Sequence, residues 1–222
     1  MRFISKGLPG YPVTQLPSAA RETGKPGNWA TVFVLFLSLA FIGWSRPQPI
    51  RPLTADEMRN LVVDLETTAG TITIEFFPDA APMHVRNFIQ LAWSGFFDGT
   101  NFHRVIPGFM IQGGDPNTRN SDRSTWGMGG SEKTLHAEFS KIPHERGILS
   151  MARTSDPNSA SSQFFIMVAR APHLDGAYSV FGKVREGMDV VDAIVNGDRN
   201  QYNDQPVNPV VIKRAVVRRV TK

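Results

Sequence analysis

The run from Phe102 to Asp115 contains side chains whose types and spacing could act together on one ligand. Its centre, Pro107-Gly108, suits the two middle positions of a type II turn, so the run predicts two short antiparallel strands. Side chains alternate along a strand, which places Met110 and Gln112 on the same face. Folding would therefore gather the Arg104 guanidinium, one amide and soft apolar groups. Such a surface can hold an apolar ring and donate hydrogen bonds, but it offers no nucleophile and no set of metal ligands.

Two further blocks follow this run along the chain. The second block is Gly147 to Arg153 with Ser162 to Ile166, and the third is Leu174-Asp175-Gly176 with Val180 to Val184. Together the three blocks resemble the signature of the cyclophilins, a family of peptidyl-prolyl cis-trans isomerases, over roughly Leu61 to Val220. The resemblance implies an enzyme that accelerates rotation about X–Pro bonds in unfolded or flexible polypeptides. It implies proline-containing polypeptides as partners, a monomer and no cofactor.

Isomerisation of this kind needs no covalent step. Rotation about the bond is opposed by ~18–20 kcal/mol because the nitrogen lone pair is delocalised into the carbonyl group. Only interactions that are stronger in the twisted amide than in the planar forms accelerate the rotation. When the amide twists, the prolyl nitrogen becomes an acceptor, so a fixed cationic donor in a dry apolar cleft stabilises that state. The resemblance assigns this donor role to Arg104, since arginine stays charged and presents a rigid fork of donors.

The resemblance also assigns the other site residues. Gln112 matches a glutamine that binds the substrate backbone, and Ala152 with Arg153 matches the segment whose backbone pairs with the bound peptide. Gln163 matches another polar lining position. The lining of the proline pocket matches four apolar side chains, Phe109, Met110, Phe165 and Leu174. Without the resemblance, the residue types of these four would favour ordinary core positions.

Three departures from the family pattern bear on function. Tyr178 stands where many members have a histidine, as in several bacterial-type members, and its hydroxyl can still hydrogen-bond, so we expect activity to survive. His173 occupies the place of a tryptophan that favours binding of the drug cyclosporin, so we expect weak cyclosporin binding. The stretch from Thr154 to Ser161 is about one residue longer than in common eukaryotic members. The first two changes keep open one alternative, a proline-binding scaffold or holdase with the same fold and little catalysis.

Composition argues against several other kinds of site. The chain has no cysteine, which excludes disulfides and thiolate catalysis. Its five histidines show no metal-ligand spacing, so we expect no metal site. A Ser-His-Asp grouping has no support in the sequence, and His103 is expected to be a hydrogen-bonded structural residue that faces away from Arg104. Positive charge is concentrated in residues 1–51, which leaves the rest close to neutral and argues against a nucleic-acid partner.

The elements that must position these residues are mostly strands. Leu61 to Glu66 and Thr71 to Phe76 alternate around a Thr-Ala-Gly turn and predict a hairpin, and Val207 to Val220 predicts a closing strand. Residues 113–146 are glycine-rich and polar, as in long surface loops. The resemblance implies a mainly β fold, a closed antiparallel eight-stranded barrel capped by two helices. Periodicity alone does not choose the barrel over a sandwich.

Helix signals surround the strands. Asp79 is predicted to cap a helix that runs to about Trp93, and a second amphipathic helix is predicted from Met188 to an end at Gly197. Thr54-Ala55-Asp56-Glu57 has the form of a capping box, which predicts a short helical turn before the first strand.

We divide the chain into four segments. Residues 1–28 are basic and without periodicity, and we expect them to be disordered. Residues 29–45 are a predicted transmembrane signal-anchor. Residues 46–59 are a proline-rich linker. Residues 60–222 are the predicted isomerase domain.

The anchor prediction rests on the run from Trp29 to Trp44, which contains no charged residue. As a helix it would span ~24 Å, a little short of a ~30 Å hydrocarbon core, and its terminal tryptophans suit the two interfaces. A cleaved secretory signal is the alternative, but the leader is long and no good Ala-x-Ala site follows the run. More basic residues precede the span than follow it. We therefore expect a single-pass membrane protein whose catalytic domain lies outside the cytoplasm, on the periplasmic or extracellular side.

Overall fold

A curved antiparallel sheet of eight strands dominates the computed structural model, which describes residues 52–220. Its elements follow the chain in the order α1 (Ala55–Arg59), β1 (Leu61–Thr67), β2 (Thr71–Phe76), α2 (Pro82–Trp93), β3 (Arg104–Ile106), β4 (Met110–Gly113), β5 (Ile148–Met151), β6 (Phe164–Met167), β7 (Val180–Glu186), α3 (Met188–Val195) and β8 (Ile212–Arg219). Hydrogen-bonded neighbours run in the order β3-β4-β6-β5-β7-β2-β1-β8. The mainly β class and the antiparallel eight-stranded sheet with its helices are confirmed.

The closed barrel was a wrong prediction, because within the described residues the strand ladder ends at β3 on one side and at β8 on the other. The loop before β3 bonds to the start of β8 and to the residues before it, without forming a ladder. Gly99 N–H donates to Ile212 O at 2.8 Å, and Phe102 N–H donates to Val210 O at 3.2 Å. One edge of strand β3 pairs with β4, and on its other edge Val105 N–H donates to the loop residue Asp204 and not to β8. The sheet is therefore an open half-barrel.

Helix α2 begins later than predicted. Ala81 occupies the N-cap position and Pro82 is the first helical residue, where the missing N–H of proline costs nothing. Asp79 does not cap the helix, and its carboxylate instead pairs with Arg59 at 2.6 Å. The free N–H groups of the first turn donate to the Glu138 carboxylate at 3.0 Å, so a distant side chain supplies the cap.

Other boundaries agree more closely with the sequence. The capping box is confirmed, since Thr54 Oγ1 accepts from Glu57 N–H at 3.2 Å and the Glu57 carboxylate accepts from Thr54 N–H at 2.8 Å. Helix α3 ends with Asn196 as its cap, one residue before the predicted Gly197. Strand β8 begins at Ile212 and not at Val207, because the backbone before it bonds to loops.

Two apolar clusters lie on opposite faces of the sheet. In the larger one, Phe88 of α2 contacts the rings of Phe76, Phe97, Phe164 and Phe181 at centroid distances from 4.8 to 5.8 Å. The smaller cluster comprises Met110, Ile148, Phe165, Met167, Ala171, Leu174 and Val180. Strand neighbours Met110 and Ile111 fall in different clusters, as side-chain alternation requires. The smaller cluster underlies the candidate site.

Between residues 52 and 220, none of the helices combines the length and the apolar character that crossing a bilayer requires. The predicted transmembrane helix over residues 29–45 and the segment 1–28 lie outside the described part of the chain.

Candidate active site

The hairpin of β3 and β4 sets the position of the candidate site. Phe109 N–H donates to Ile106 O at 3.0 Å, and Gly108 has φ +73°, as the third residue of a type II turn requires. In this register Arg104 lies opposite Gln112, so both side chains emerge on the same face. The Arg104 side chain is 45% exposed, which leaves its charge at the surface beside the smaller apolar cluster.

Next to this hairpin lies a cavity of about 380 Å³. Ten of the predicted site residues line it: Arg104, Phe109, Met110, Gln112, Ala152, Arg153, Phe165, His173, Leu174 and Tyr178. Gln163, the remaining predicted residue, lines a second cavity of about 250 Å³, which shares Gln112, Ala152 and Arg153 with the first. The structure thus brings all the predicted residues to one surface, while the role of each stays a prediction.

The floor of the first cavity is apolar and firmly packed. Met110, Phe165 and Leu174 are each at most 6% exposed and belong to the smaller cluster. The Phe165 ring meets Tyr178 edge to face at 5.8 Å, and Phe109 stacks on His173 at 5.8 Å. A hollow of this kind can accept a compact apolar ring and exclude water around it.

The polar rim of the site is ordered by two glutamines. Gln112 Nε2 donates to Gln163 Oε1 at 2.8 Å, and Gln163 Nε2 donates to Gly127 O at 2.9 Å and to Gly129 O at 2.7 Å. This chain of bonds fixes the Gln112 amide and joins β4 to the loop around residues 127–129. The side-chain oxygen of Gln112 then remains for a donor on a bound chain.

Arg153 lines the cavity, and neighbouring carbonyl groups take up its donors. Its Nε and Nη2 donate to Ala177 O at 3.1 and 3.0 Å, and its Nη1 donates to Thr154 O at 2.8 Å. The guanidinium lies 4.5 Å from the centroid of the Tyr178 ring, a cation–π contact that holds the ring in place. Its contacts make Arg153 a support for Tyr178, whereas Arg104 lines the cavity with a side chain that is 45% exposed.

Behind the floor lies a hydrogen-bonded Ser-His-Asp chain, which corrects the expectation of no such grouping. His144 Nδ1 is 3.1 Å from Asp175 Oδ1, His144 Nε2 is 3.1 Å from Ser150 Oγ, and Ser150 Oγ donates to Ser179 O at 3.0 Å. Ser150 and His144 are fully buried, so Ser150 cannot reach a substrate as a nucleophile. The His144 ring stacks on Phe165 at 6.1 Å. The chain therefore acts as a rigid backing of the cavity floor.

The charges of this buried chain follow from its surroundings. Burial lowers the pKa of His144, against the opposing effect of the Asp175 carboxylate. Hydrogen bonds from Arg170 and from the His144 backbone lower the pKa of Asp175, which is therefore ionised at neutral pH. Sequence spacing gave no sign of this group, because its members come from a loop, from β5 and from the residues before β7.

His103 faces away from Arg104, as expected, and is 4% exposed. The expectation that it is hydrogen-bonded was wrong, because neither ring nitrogen has a bonding partner among the described residues. The Gln163 side chain and the Asn101 backbone lie near the ring without hydrogen-bond geometry. Burial lowers the pKa of His103 to about 4, with the Asp115 carboxylate opposing the change, so the ring is neutral at physiological pH.

Sequence reasoning missed part of the surface. Met128, Thr154, Ser159 and Ser161 line the second cavity beside glycines that were expected to be loop glycines only. Asp204 was missed as well, and its Oδ2 lies 3.7 Å from Arg104 Nε. A usable signal for Thr154, Ser159 and Ser161 is their position soon after Ala152 and Arg153 in the sequence. No local pattern marks Asp204, because it lies 100 residues after its partner.

An open half-barrel that carries one apolar hollow, one surface guanidinium and an ordered amide at its rim has the groups needed to hold an apolar ring and to bond to the chain beside it. The family model for cyclophilin-type peptidyl-prolyl cis-trans isomerases matches residues 62–217. A probable peptidyl-prolyl cis-trans isomerase of Brucella abortus is 43% identical over 178 residues, which cover 78% of this chain and 90% of that protein. A peptidyl-prolyl cis-trans isomerase of Arabidopsis thaliana is 43% identical over 158 residues, covering 70% of this chain and 94% of that protein.

Solved structures agree with these matches. A cyclophilin-type peptidyl-prolyl cis-trans isomerase of Cryptosporidium parvum, crystallised in the presence of the dipeptide Ala-Pro, has a TM-score of 0.65 and 33% identity. The match covers 71% of this chain and 98% of that one. The chain therefore belongs to the cyclophilin-type peptidyl-prolyl cis-trans isomerase family, and it is an enzyme of that type.

Proposed function

We propose that Arg104 is the catalytic donor of this isomerase and that the apolar hollow beside it holds the proline ring of a polypeptide substrate. The observation that carries the proposal is one cavity lined both by a surface guanidinium and by nearly buried Met110, Phe165 and Leu174. In the twisted state the prolyl nitrogen is an acceptor, and a guanidinium donor that meets it stabilises this state more than either planar state. The apolar floor removes water that would weaken the contact.

The remaining residues position the substrate chain. In this proposal Gln112, held by Gln163, accepts a substrate N–H with its side-chain oxygen. The segment Ala152-Arg153 pairs with the substrate backbone along the boundary of the two cavities, which both residues line. Tyr178, held by Arg153, closes the side of the hollow next to Phe165. No step of this mechanism uses a metal, a cofactor or a covalent intermediate.

The test is the rate of cis–trans exchange in a short Ala-Pro peptide. We expect Arg104→Ala to lower kcat by about 100-fold or more, because removal of one preorganised donor typically costs 10²–10³ in rate. The matched control is Arg185→Ala on β7, an arginine that is 41% exposed and pairs only with Glu186 at 3.8 Å among the described residues. It removes an equal charge without touching the cavity, and we expect its rate to equal that of the wild type.

The same experiment separates the enzyme from the scaffold alternative. A scaffold or holdase would bind the peptide, as seen in chemical-shift changes of cavity residues, without faster exchange. Unchanged exchange in Arg104→Ala, with the fold intact by circular dichroism, would refute the donor role.

We further propose that residues 29–45 anchor the protein in a membrane and that the catalytic domain assists folding on the periplasmic or extracellular side. The support is the charge-free run from Trp29 to Trp44 and the excess of basic residues before it. Protease treatment of intact cells and of cells with an opened outer envelope tests the orientation. Digestion of the C-terminal domain is expected once the outer envelope is open, and protection at that stage would place the domain in the cytoplasm.

A further inference from the structure

The loop from Gly197 to Val207 places a carboxylate beside the proposed catalytic arginine. Asp204 Oδ2 lies 3.7 Å from Arg104 Nε, and Asp204 O accepts the N–H of Val105 at 2.9 Å. The main chain of Asp204 is thus hydrogen-bonded to strand β3, and its side chain lies at ion-pair distance from Arg104 of the same strand. The Asp204 side chain is 26% exposed, so the carboxylate is partly shielded from water.

The backbone of Asp204 adopts an uncommon conformation to reach this position. Its φ is +59°, and within residues 52–220 no other non-glycine residue has a positive φ. Left-handed backbone is unfavourable for residues with a Cβ, and it persists only where surrounding contacts require it. Here Asp204 N–H donates to Asn200 O at 2.9 Å, and Asn200 N–H donates to Gln205 O at 2.8 Å. The loop therefore imposes the geometry that directs the carboxylate toward Arg104.

A second loop holds the first one from outside. Arg123 donates from Nη1 to Pro206 O and from Nη2 to Val207 O, each at 3.0 Å, while Gln205 Nε2 donates to Arg123 O at 3.0 Å. The Arg123 guanidinium also lies 5.0 Å from the Trp126 ring centroid. These contacts limit the freedom of the Asp204 carboxylate to follow a moving arginine.

Arg199 divides the charge of this carboxylate. Its Nη1 donates a hydrogen bond to Asp204 Oδ1, whereas Arg104 Nε lies at ion-pair distance from Oδ2, so the two oxygens of Asp204 face two different guanidinium groups. Because Asp204 also pairs with Arg199, its negative charge is not spent on Arg104 alone. Arg104 therefore gains a fixed neighbour and keeps much of its positive charge. A donor that must stabilise a lone pair on the substrate benefits from both conditions, fixed direction and retained positive charge.

We propose that Asp204 is a positioning residue for Arg104, which it holds at the Nε edge so that the terminal nitrogens are directed into the cavity. The proposal rests on the proposed catalytic role of Arg104. A free arginine side chain samples many rotamers, and each substrate must otherwise order it at the moment of reaction. An ion pair at Nε lowers the entropy that the Arg104 side chain loses when it bonds to the substrate. Arg104 makes this bond in the twisted state, so loss of Asp204 is expected to change kcat more than KM.

The test compares Asp204→Asn with Asp198→Asn in the full chain. Asparagine tolerates positive φ, so the first variant removes the charge while keeping the loop conformation. Asp198 is an exposed carboxylate of the same loop, and its variant loses the same charge. We expect Asp204→Asn to lower kcat for an Ala-Pro peptide about 3- to 10-fold with KM nearly unchanged, and Asp198→Asn to keep the wild-type values. The range is moderate because Arg104 is nearly half exposed and such pairs are weakened by water.

Two further readouts separate positioning from a general structural effect. In a ¹⁵N–¹H spectrum of arginine Nε groups, the Arg104 signal is expected to be sharp in the wild type and broadened in Asp204→Asn. In an Arg104→Ala background, Asp204→Asn is expected to cause no further loss of rate. An unchanged or increased kcat in Asp204→Asn, or the same fold loss in both backgrounds, would overturn the positioning role alone. Full activity of Arg104→Ala by itself would instead overturn the proposed catalytic role, and with it this inference.

Discussion

Acidification is expected to destabilise the fold through His103, the buried histidine next to Arg104 in the chain. Its ring is 4% exposed, and its nitrogens have no bonding partner among the described residues. Burial lowers the pKa of His103 from 6.5 to about 4, and Asp115 offsets only part of that effect. Protonating this ring in the folded state therefore places a charge in a buried position where water cannot solvate it.

The direction and size of the effect follow from the two pKa values. The unfolded chain takes up a proton on His103 near pH 6.5, while the folded chain stays neutral down to about pH 4. Between pH 6.5 and about pH 4 the unfolded state binds more protons than the folded state. The contribution of His103 to the free energy of unfolding is therefore fully present above pH 6.5 and is lost as the pH falls toward 4. The difference between the two pKa values lowers the free energy of unfolding by roughly 3 kcal/mol over this whole pH range, and by about 2 kcal/mol between pH 8 and pH 5.

The assay is urea unfolding of the purified protein at pH 8 and pH 5, with His103→Gln and His136→Gln measured beside the wild type. His136 is exposed, so its variant is expected to show the same pH dependence as the wild type. His103→Gln carries no titratable ring at this position. We expect the free energy of unfolding to fall about 2 kcal/mol less between the two pH values in this variant. Burial also lowers the pKa of His84 and His144, and the comparison of variants removes their shared contribution. Equal pH dependence in all three proteins would refute this reasoning.

Two other predictions follow from single positions. The purified protein is expected to bind cyclosporin weakly, and His173→Trp to bind it more tightly; nanomolar affinity of the wild type by calorimetry would contradict the first part. Gly108→Ala is expected to lower the free energy of unfolding by about 1–2 kcal/mol, because φ is +73° there and an added Cβ meets no atom within 4 Å. Gly114→Ala is expected to cost clearly more, since its Cβ would lie 2.3 Å from Ser162 O; equal losses in urea unfolding would contradict this ranking.

The hairpin at the site was predictable because its determinants are local. Pro107 and Gly108 select the turn, the turn sets the register, and the register places Arg104 opposite Gln112. The family resemblance then added distant members such as Phe165, which no local pattern connects to this hairpin. Those residues reach the same cavity because β6 pairs with β4.

The errors arose where a tertiary contact replaced a local signal. Asp79 has the right residue type for an N-cap, but Pro82 sets the helix start and Glu138, 55 residues after Met83, supplies the cap. Strand alternation does not show whether a sheet closes, because closure depends on which part of the chain bonds to the outer edge of β3, and there a loop residue bonds to it.

The polar groups that support the site were hidden for the same reason. Ser150, His144 and Asp175 come from separate parts of the chain and lie together only in the folded structure. Asp204 reaches Arg104 through a loop whose left-handed residue is not glycine. Aspartate is one of the residue types that adopt this conformation, but the type alone does not indicate which loop residue will do so.

The central claim is that the Arg104 guanidinium meets the prolyl nitrogen of a substrate whose ring fills the cavity. A crystal structure of the protein with a bound Ala-Pro-containing peptide tests it most directly. We predict the proline ring against Met110, Phe165 and Leu174, with an Arg104 nitrogen within hydrogen-bond distance of the prolyl nitrogen. A ring seated in the same hollow, with the Arg104 side chain turned into solvent and away from that nitrogen, would contradict the account.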